Sequence, residues 1–396
     1  MLVLLLVIVA GAHVHAEEAA LRAFETIEMP GTASKAPERL QIQAFGRTFS
    51  LELAPNPSLL ASLPAGQRAR IGAGDLFLKG TLSDLPGSWV RLNRIGGKFS
   101  GGFFDGDDLY LVDRAKGLAP AGSRAAAEDA AIVFRLSDLQ LPLHIDASGV
   151  AVPGAETGAA TTGGYDDFVD HLREVAVLEG TAMYAMPVTI VSDVEFSARH
   201  GGNAASVVAG RINFIDGIYT NQLGVGITLW HHEILAANGN LTATDASNLL
   251  SQFRSFMTSG AGSEIPFEGL AHLFTDGRPQ GGTAGIAFLG VLCNRSAGYG
   301  VNENLSNDTT SALVFAHEVG HNFNAPHDGQ EGDGQLGACA DETFEGIMSA
   351  IVSQSRQQFS DCSLEEMSAE LNGAGCLVPV LESDQVFRNG FESTAR

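Results

Sequence analysis

One short segment constrains this chain more than any other: His317, Glu318 and His321 form a His-Glu-x-x-His pattern. In a helix, residues four apart lie on one face, so both imidazoles can bind the same ion. Glu318 lies one residue further round, beside the ion, where a general base for an activated water molecule is needed. Imidazole nitrogens suit Zn²⁺, and three protein ligands leave a fourth position open for water. The pattern therefore predicts a catalytic zinc site.

The flanking residues supply a third candidate ligand. Small and apolar residues precede the pattern at helical spacing, and Asn307 or Asp308 can cap the helix. Downstream, Asn324 tolerates a left-handed conformation and Pro326 forbids helix continuation. A turn at this point can return His327 to the same ion. The alternative is a helix with two surface histidines and a solvated glutamate, and a third histidine behind a turn signal argues against it.

The segment from His317 to Asp328 resembles the zinc signature of the metzincin peptidases. It is most similar to the adamalysin (reprolysin) branch, which reads His-Glu-x-Gly-His-Asn-x-Gly-x-x-His-Asp. The resemblance implies that Glu318 is catalytic and that the three histidines bind zinc. Asn324 replaces the Gly of that signature, and we expect it to keep the turn at a positive φ with modest strain.

Two later segments extend the resemblance to residues 183 to 378. Met348, in Gly-Ile-Met-Ser, resembles the methionine turn beneath the zinc of metzincins, whereas an ordinary buried methionine is the alternative. The residues from Phe359 to Ser363 match the sequence motif that follows this turn in adamalysins. A structural calcium site occurs in some adamalysins, but no ligands for it can be matched here, so calcium binding stays open.

All four cysteines lie late in the chain, at Cys293, Cys339, Cys362 and Cys376. An even number in an exported chain favours two disulfides, with three possible pairings. A cysteine metal site is disfavoured because no Cys-x-x-Cys occurs. The resemblance to adamalysins implies that Cys293 pairs with Cys376 and that Cys339 pairs with Cys362.

Composition and the N-terminus indicate a secreted, soluble chain. Residues 1–16 contain an apolar run followed by small residues that fit a cleavage site, which is typical of a signal peptide. No other stretch is long enough to span a bilayer. The formal net charge of −23 over 396 residues argues against nucleic acid and anionic membranes as partners.

Residues 17–182 are predicted to form a β-rich prodomain. Leu40 to Leu53 alternate apolar and polar residues around Gly46, the pattern of a strand pair, and similar alternation follows up to Phe134. A stretch rich in Gly, Ala and Thr, near residues 146–165, has the composition of a linker. The unit resembles the propeptide of adamalysin-like zymogens by pattern more than by motif.

Residues 183–380 are predicted to form an α/β (α+β) catalytic domain with a mixed twisted sheet, the zinc helix and a small irregular C-terminal subdomain. A late helix is expected to begin with a capping box of Ser363 and Glu366. Residues 381–396 resemble the ends of some bacterial secreted proteins, or are simply a frayed terminus. The predicted strands and helices before the zinc helix are Met186–Asp193, Asn203–Asn221, Leu223–Trp230, Thr244–Met257, Leu270–Phe274 and Thr283–Val291.

Weaker motifs are given structural interpretations. His231 and His232 are adjacent on a predicted strand and point to opposite faces, so they cannot easily share an ion. His272, on another strand, is expected to be packed or at the surface. Phe104-Asp105-Gly106-Asp107 resembles the Phe-x-Gly-Asp segment by which astacin-type proenzymes place an aspartate on zinc. The alternative is a hairpin, because Asp-Gly between apolar runs is a hairpin signature. No cysteine precedes Cys293, so a cysteine switch on the zinc is excluded.

These patterns predict a secreted zinc endopeptidase precursor that acts as a monomer on proteins or peptides. The substrate is expected to pair with a sheet edge near Gly285 to Leu289. One rival is a non-catalytic zinc-bearing adhesion module, against which the presence of Glu318 discriminates. The other is a narrowly specific peptidase that cuts only its own prodomain or a single partner.

Overall fold

The computed structural model describes residues 20–31, 36–83, 85–140, 146–150, 172–173, 182–305, 307–329, 337–343, 346–350 and 357–380. The predicted signal peptide (1–16), the tail (381–396) and most of the predicted linker lie outside the described residues.

The N-terminal unit consists mainly of antiparallel strands. Its strands are β1 (Ala20–Leu21), β2 (Glu25–Thr26), β3 (Arg39–Ala44), β4 (Arg47–Pro55), β5 (Leu76–Leu82), β6 (Trp89–Ile95), β7 (Lys98–Phe104), β8 (Leu109–Arg114), β9 (Ala131–Arg135) and β10 (Leu139–Gln140). Two short helices, α1 (Ala65–Arg68) and α2 (Arg124–Glu128), and 3₁₀ turns at Ser58–Leu60 and Leu136–Asp138 lie between them. Eight strands form one sheet in the order β2-β9-β8-β7-β6-β5-β4-β3, while β1 pairs with β10.

The predicted hairpin at β3 and β4 is confirmed. Phe45 and Gly46 connect the strands with φ of 53° and 71°, a conformation that matches the twist of a tight hairpin. Buried and exposed residues alternate along β3, as the sequence pattern indicates. One face of the sheet encloses a core that includes Ile42 and Phe103. The opposite face packs against the catalytic half of the chain, so the two units share a core.

The catalytic half alternates strands and helices. Its elements are β11 (Asp146–Val150), β12 (Tyr184–Ser192), α3 (Val194–His200), a 3₁₀ turn (Gly201–Asn203), α4 (Ala204–Leu223), β13 (Val225–Ile234), α5 (Ala246–Ser259), β14 (Leu270–Thr275), β15 (Thr283–Phe288), β16 (Tyr299–Glu303), α6 (Asp308–Asn322), α7 (Asp361–Asn372) and β17 (Val378–Pro379).

These strands form one mixed sheet in the order β11-β15-β16-β14-β12-β13, and β17 pairs with β12. β13, β12, β14 and β16 are mutually parallel, whereas β15 runs antiparallel to β16. The parallel strands are buried almost throughout, because helices or the N-terminal unit cover them. The predicted mixed α/β fold with a zinc helix is confirmed.

Three details differ from the sequence-based expectations. Asp146–Val150, the start of the predicted linker, is a strand that pairs in parallel with β15 along the edge expected to receive substrate. β16 was not predicted. The late helix α7 is capped by Ser360, whose hydroxyl accepts from the backbone N–H of Ser363, so the predicted capping box of Ser363 and Glu366 is wrong.

Candidate metal centre

Helix α6 carries the candidate site and is buried along nearly its whole length. Its first turn is closed by Asn307, whose side-chain oxygen accepts from the backbone N–H of Thr310 at 2.7 Å. This is one of the two caps that the sequence allowed. Tyr219 of α4 donates its hydroxyl to the carbonyl of Ala316 at 2.8 Å, one residue before the first histidine. The helix is therefore fixed at its start and along its length.

Three imidazoles converge at the C-terminal half of α6. Nε2 of His317 lies 3.0 Å from Nε2 of His321 and 3.2 Å from Nε2 of His327. Three nitrogens bound tetrahedrally to one zinc ion would be roughly 3.3 Å apart. Among the described residues, these histidines are the one group of His, Cys, Asp or Glu whose ligand atoms all lie within 4.8 Å of one another. The donor set fits a single zinc ion.

Backbone carbonyls set the tautomers of the first two histidines. Nδ1 of His317 donates to the carbonyl of Ile347 at 2.7 Å, and Nδ1 of His321 donates to that of Ala325 at 2.8 Å. Each Nε2 is thereby left as a lone-pair donor directed at the common point. Burial, aided by the neighbouring imidazole of His327, lowers the pKa of His317 to about 3. Both rings are neutral at ordinary pH, as metal ligation requires.

The turn after α6 has the predicted left-handed residue. Asn324 has φ of 78°, and its backbone N–H donates to the carbonyl of His321 at 2.9 Å. Its side-chain amide donates to Oε2 of Glu366 at 3.0 Å, which connects the turn to α7. The asparagine thus replaces the glycine of the adamalysin signature without leaving the left-handed region, and it adds a hydrogen bond that glycine cannot make.

Met348, the candidate residue of the methionine turn, packs against helix α6 at Gly320. It is fully buried, and a β-carbon placed on Gly320 would lie 2.5 Å from its sulfur. Glycine between Val319 and His321 therefore lets the methionine approach the zinc helix. The backbone N–H of Asp328 donates to the carbonyl of Met348 at 3.0 Å, so the segment after the third histidine is fixed to the same turn.

Asp328 links this turn to helix α7. Its Oδ1 accepts from the hydroxyls of Ser360 at 2.6 Å and of Ser363 at 3.0 Å. Burial raises the pKa of the Asp328 carboxyl to about 6, although the two serines oppose this shift. The residue after the third histidine therefore positions the chain and does not join the ligand set.

Glu318 is fully buried and lies against strand β15. A β-carbon on Gly285 of β15 would lie 2.3 Å from Oε1 of Glu318, so the carboxylate is directly against the strand. Glu318 follows His317 in sequence and does not belong to the group of three histidines. The arrangement places a carboxylate between the candidate metal site and strand β15.

The sequence did not indicate the polar network behind the site. His272 is buried, with Nε2 2.8 Å from Oδ1 of Asn322 and Nδ1 2.8 Å from the side chain of Asn302. Asn322 in turn donates its amide to the carbonyl of Phe288 at 2.7 Å. The network joins the end of α6 to the end of β15. His272 was expected to be packed or at the surface, and its position as a single polar residue in an apolar strand gave no further signal.

The weaker motifs have structural roles. Gln67 of the N-terminal unit accepts from the backbone N–H of His232 at 2.8 Å and contacts the ring of His231. Asp105 pairs with Arg47 at 2.7 Å and accepts from the backbone N–H groups of Asp107 and Asp108. Its carboxylate therefore closes the hairpin turn, as the alternative interpretation of the Asp-Gly motif holds.

Two disulfides fasten the C-terminal subdomain. They pair Cys293 with Cys376 and Cys339 with Cys362, at Cα–Cα distances of 5.4 and 5.7 Å. These are the pairings that the resemblance implies. The first bridge joins the segment after β15 to the segment before β17, and the second joins the loop after the third histidine to α7.

A comparison with protein families matches the same part of the chain. The Reprolysin_5 family model, described as metallo-peptidase family M12, matches residues 184–360. Residues 184–360 are an M12 metallopeptidase domain. The match contains the three histidines, Glu318 and Met348, and the reprolysin type agrees with the adamalysin resemblance of the zinc signature.

Curated relatives extend the similarity beyond the M12 domain. Disintegrin and metalloproteinase domain-containing protein 9 of Homo sapiens is 32% identical over 289 residues, which cover 70% of this chain and 33% of that protein. Disintegrin and metalloproteinase domain-containing protein 22 of Homo sapiens is 24% identical over 356 residues, which cover 85% of this chain and 37% of that protein. The chain thus spans about a third of the length of these relatives.

A solved structure is similar over most of the chain. The crystal structure of metalloproteinase-II from Bacteroides fragilis has a TM-score of 0.48 and 12% identity, and covers 83% of this chain and 90% of that one. In the part of the chain that the structure describes, no helix is both long and apolar enough to cross a membrane.

Proposed function

We propose that this chain is the precursor of a secreted zinc endopeptidase that hydrolyses peptide bonds within proteins. The observation that carries the proposal is the convergence of three Nε2 atoms, from His317, His321 and His327, beside the buried carboxylate of Glu318. A structural zinc site is closed by four protein ligands, whereas three histidines leave a coordination position for substrate or water. A closed site would not need an acid–base group beside it.

The residues have separate roles in the proposed mechanism. Zinc bound to the histidines would supply Lewis-acid chemistry, which polarises a carbonyl and makes water more acidic. Glu318 takes a proton from the attacking water on a carboxylate oxygen and delivers it to the nitrogen of the leaving amine. Ile347 and Ala325 hold the proton on Nδ1 of the first two histidines throughout, so their Nε2 atoms stay available.

The strand β15 is the proposed substrate platform. One edge of the strand pairs with β16, and its face lies against Glu318 at Gly285. An extended peptide added to the other, outer edge would form backbone hydrogen bonds with the strand and present one of its carbonyl groups to the histidines. Main-chain pairing would supply affinity, and pockets for alternate side chains would supply specificity.

The outer edge of β15 also suggests how the precursor is kept inactive. The strand β11 pairs with it in parallel over Asp146–Val150, and the backbone N–H of Leu289 donates to the carbonyl of Val150 at 3.0 Å. A substrate cannot pair with an edge that is already paired. We therefore propose that β11 has to leave before substrate binds, and that a cut between residues 151 and 181 begins this process.

The test distinguishes the proposed general base, Glu318, from the proposed zinc ligands. After the precursor is cut between residues 151 and 181, Glu318→Ala should retain one zinc per chain and lose hydrolysis of a mixture of denatured proteins. His321→Ala should lose both the zinc and the activity. Metal analysis of each purified variant accompanies the assay, in which all cleavage products are identified by mass spectrometry.

The results would also distinguish the rival functions. If Glu318→Ala keeps activity within about tenfold of the wild type, the proposed base is wrong, because general-base catalysis typically contributes a hundredfold or more. If wild type holds zinc and cuts nothing in the mixture or in its own N-terminal unit, the zinc-bearing adhesion module is supported instead. Cleavage restricted to the N-terminal unit would indicate a self-processing enzyme.

A further inference from the structure

One face of helix α4 is built to receive the N-terminal unit. Its residues are small or polar and recur every three or four positions, which places them on one side of the helix. These residues are Ser206, Gly210, Asn213, Gly217 and Asn221. Each contacts the N-terminal unit, and every one of the 20 residues of α4 except Asn221 is buried. The helix is therefore covered on both sides, by the catalytic sheet and by the N-terminal sheet.

The glycines of this face allow the backbone of α4 to lie close to strand β6. A β-carbon on Gly217 would lie 2.6 Å from the ring of Trp89, and one on Gly210 would lie 3.0 Å from Cδ1 of Ile95. The distance at Gly217 is too short for a real side-chain contact. The surface of the helix is thus shaped to fit the strand, and any larger residue at 217 would force the two units apart.

Buried amides cross the boundary in both directions. Asn213 of α4 donates to the side chain of Asn93 at 2.9 Å and accepts from Asn56 at 2.9 Å. Asn93 donates to the carbonyl of Gly210 at 3.1 Å. Removing one of these amides would leave its partner buried and unsatisfied, so the bonds make the contact specific to these residues.

A buried ion pair lies at the centre of the contact. The guanidinium of Arg91 donates through Nε and a terminal nitrogen to Oδ2 of Asp216, at 2.9 and 2.8 Å. The two side chains are 3% and 11% exposed. Oδ1 of Asp216 accepts from the backbone N–H of Ile227 at 3.0 Å, so the same carboxylate fixes the start of β13. Without Arg91, the carboxylate of Asp216 would lose its counter-ion while still bound to the backbone of the catalytic domain.

One further contact lies outside the α4 face. The side-chain oxygen of Gln67 in α1 accepts from the backbone N–H of His232, which belongs to β13 at one edge of the catalytic sheet. The N-terminal unit therefore contacts the catalytic domain at the β13 edge of the sheet as well as along α4.

From these contacts we infer that the N-terminal unit is a lasting subunit of the peptidase and not a removable prodomain. After the chain is cut between residues 151 and 181, residues 20–140 stay bound to α4, and only the short strand β11 leaves the edge of β15. The active form is then a two-chain complex. The inference rests on the proposed function for the role of β11, but the binding of the two chains can be measured without any assay of hydrolysis.

The test uses the full-length chain with a recognition site for a specific protease inserted between Thr157 and Gly164. After complete cutting, we expect both pieces to elute together in size-exclusion chromatography at nanomolar concentration. They should separate only at denaturant concentrations that also unfold the catalytic domain. Separate elution in native buffer, with the larger piece still folded by circular dichroism, would overturn the inference. Failure of the proposed function would leave co-elution unchanged.

Two variants connect the result to the α4 face. Arg91→Ala should weaken the cut complex by about a hundredfold or more, because it leaves a buried carboxylate unpaired. Arg91→Lys keeps the charge without the two-pronged contact and should weaken it less. Arg39→Ala is the matched control, since Arg39 lies on the same sheet in an exposed pair with Glu52. Equal binding by Arg91→Ala and Arg39→Ala would show that the face does not hold the units together.

Discussion

A β-carbon on Gly285 would lie 2.3 Å from Oε1 of Glu318. Real β-carbons do not approach other heavy atoms so closely, so a side chain at position 285 has to displace the carboxylate or the strand. Because proton transfer depends on the position of this carboxylate, we expect Gly285→Ala to lower kcat at least about tenfold. Zinc content should be unchanged, since Glu318 is not a ligand. Steady-state kinetics with metal analysis would measure both quantities.

A glycine in open space supplies the control for this substitution. No heavy atom lies within 4 Å of the position that a β-carbon on Gly202 would occupy. Gly202→Ala should therefore leave kcat and zinc content at wild-type values. A Gly285→Ala enzyme with wild-type kcat would show that the carboxylate is free to move without cost, contrary to the proposed role of its position.

The left-handed turn at Asn324 should tolerate glycine and reject valine. Asn324→Val places a β-branched residue at φ of 78° and removes the hydrogen bond to Glu366, so we expect a loss of roughly 2 kcal/mol in unfolding free energy. Asn324→Gly loses the same hydrogen bond but fits the backbone, and should stay within about 1 kcal/mol of wild type. Denaturant titration measures both.

Zinc affinity provides a second measurement of this turn, because the turn returns His327 to the other ligands. Asn324→Val should bind zinc at least about tenfold more weakly in competition with a chelator, whereas Asn324→Gly should not. Equal zinc affinity in the two variants would mean that the turn does not control the third ligand.

Activation of the precursor should require strand release and not a thiol reagent. All four cysteines are in disulfides and none precedes Cys293, so mercurials should not activate the protein. A double substitution, Ala147→Pro with Ser148→Pro, removes two consecutive N–H groups. Since successive N–H groups point to opposite sides of a strand, one of them faces β15. This variant should show increased peptide hydrolysis without cutting.

The matched sample for this experiment is the uncut wild type in the same assay. Activation of wild type by a mercurial, with the chain intact, would show that the proposed block at β15 is wrong. A double-proline variant that stays inactive until it is cut would show that the pairing of β11 is not what blocks the site.

Glu303 should make stability depend on pH. Burial, reinforced by the charge of Asp276, raises the pKa of Glu303 from 4.5 to about 7. The folded state then binds more protons than the unfolded state between these pH values, so this residue's contribution to stability falls as pH rises from 4.5 to 7. Glu303→Gln should remove this loss and make the protein more stable at pH 8 by on the order of 1–3 kcal/mol.

Denaturant titrations at pH 5 and pH 8 would measure the effect. Glu264→Gln removes the same charge at an exposed position and should change stability by similar small amounts at both values. If Glu303→Gln and wild type show the same pH dependence, the carboxyl of Glu303 is not the group responsible.

The zinc site was predictable because its chemistry is local in sequence. Four of its key residues lie within eleven positions, and helix periodicity alone brings His317 and His321 together. The positive φ of Asn324 followed from residue type and turn signals. The network of His272 and Asn322 was not predictable, because it joins residues 50 apart and single polar residues in strands carry no periodic signal.

The missed strands show where local patterns fail. β16 is five residues long and contains Gly300 and Asn302, both unfavourable in strands, and is held by pairing on both sides. β11 has the composition of a linker, and its conformation is set by the free edge of β15. In both strands tertiary pairing outweighs intrinsic preference. The strong alternation of β3 and β4, by contrast, predicted a hairpin correctly.

The pairing of β17 with β12 brings the two ends of the catalytic domain together. Val378 lies opposite Ala185, and the backbone N–H of Val380 donates to the carbonyl of Met183 at 2.9 Å. A short peptide could therefore join position 380 to position 182, and new termini could be opened between Gly239 and Asn240, which are exposed. Such a circular permutant would keep the zinc helix in mid-chain, and a passenger protein fused after residue 380 of the natural order would lie beside the entry of the first strand.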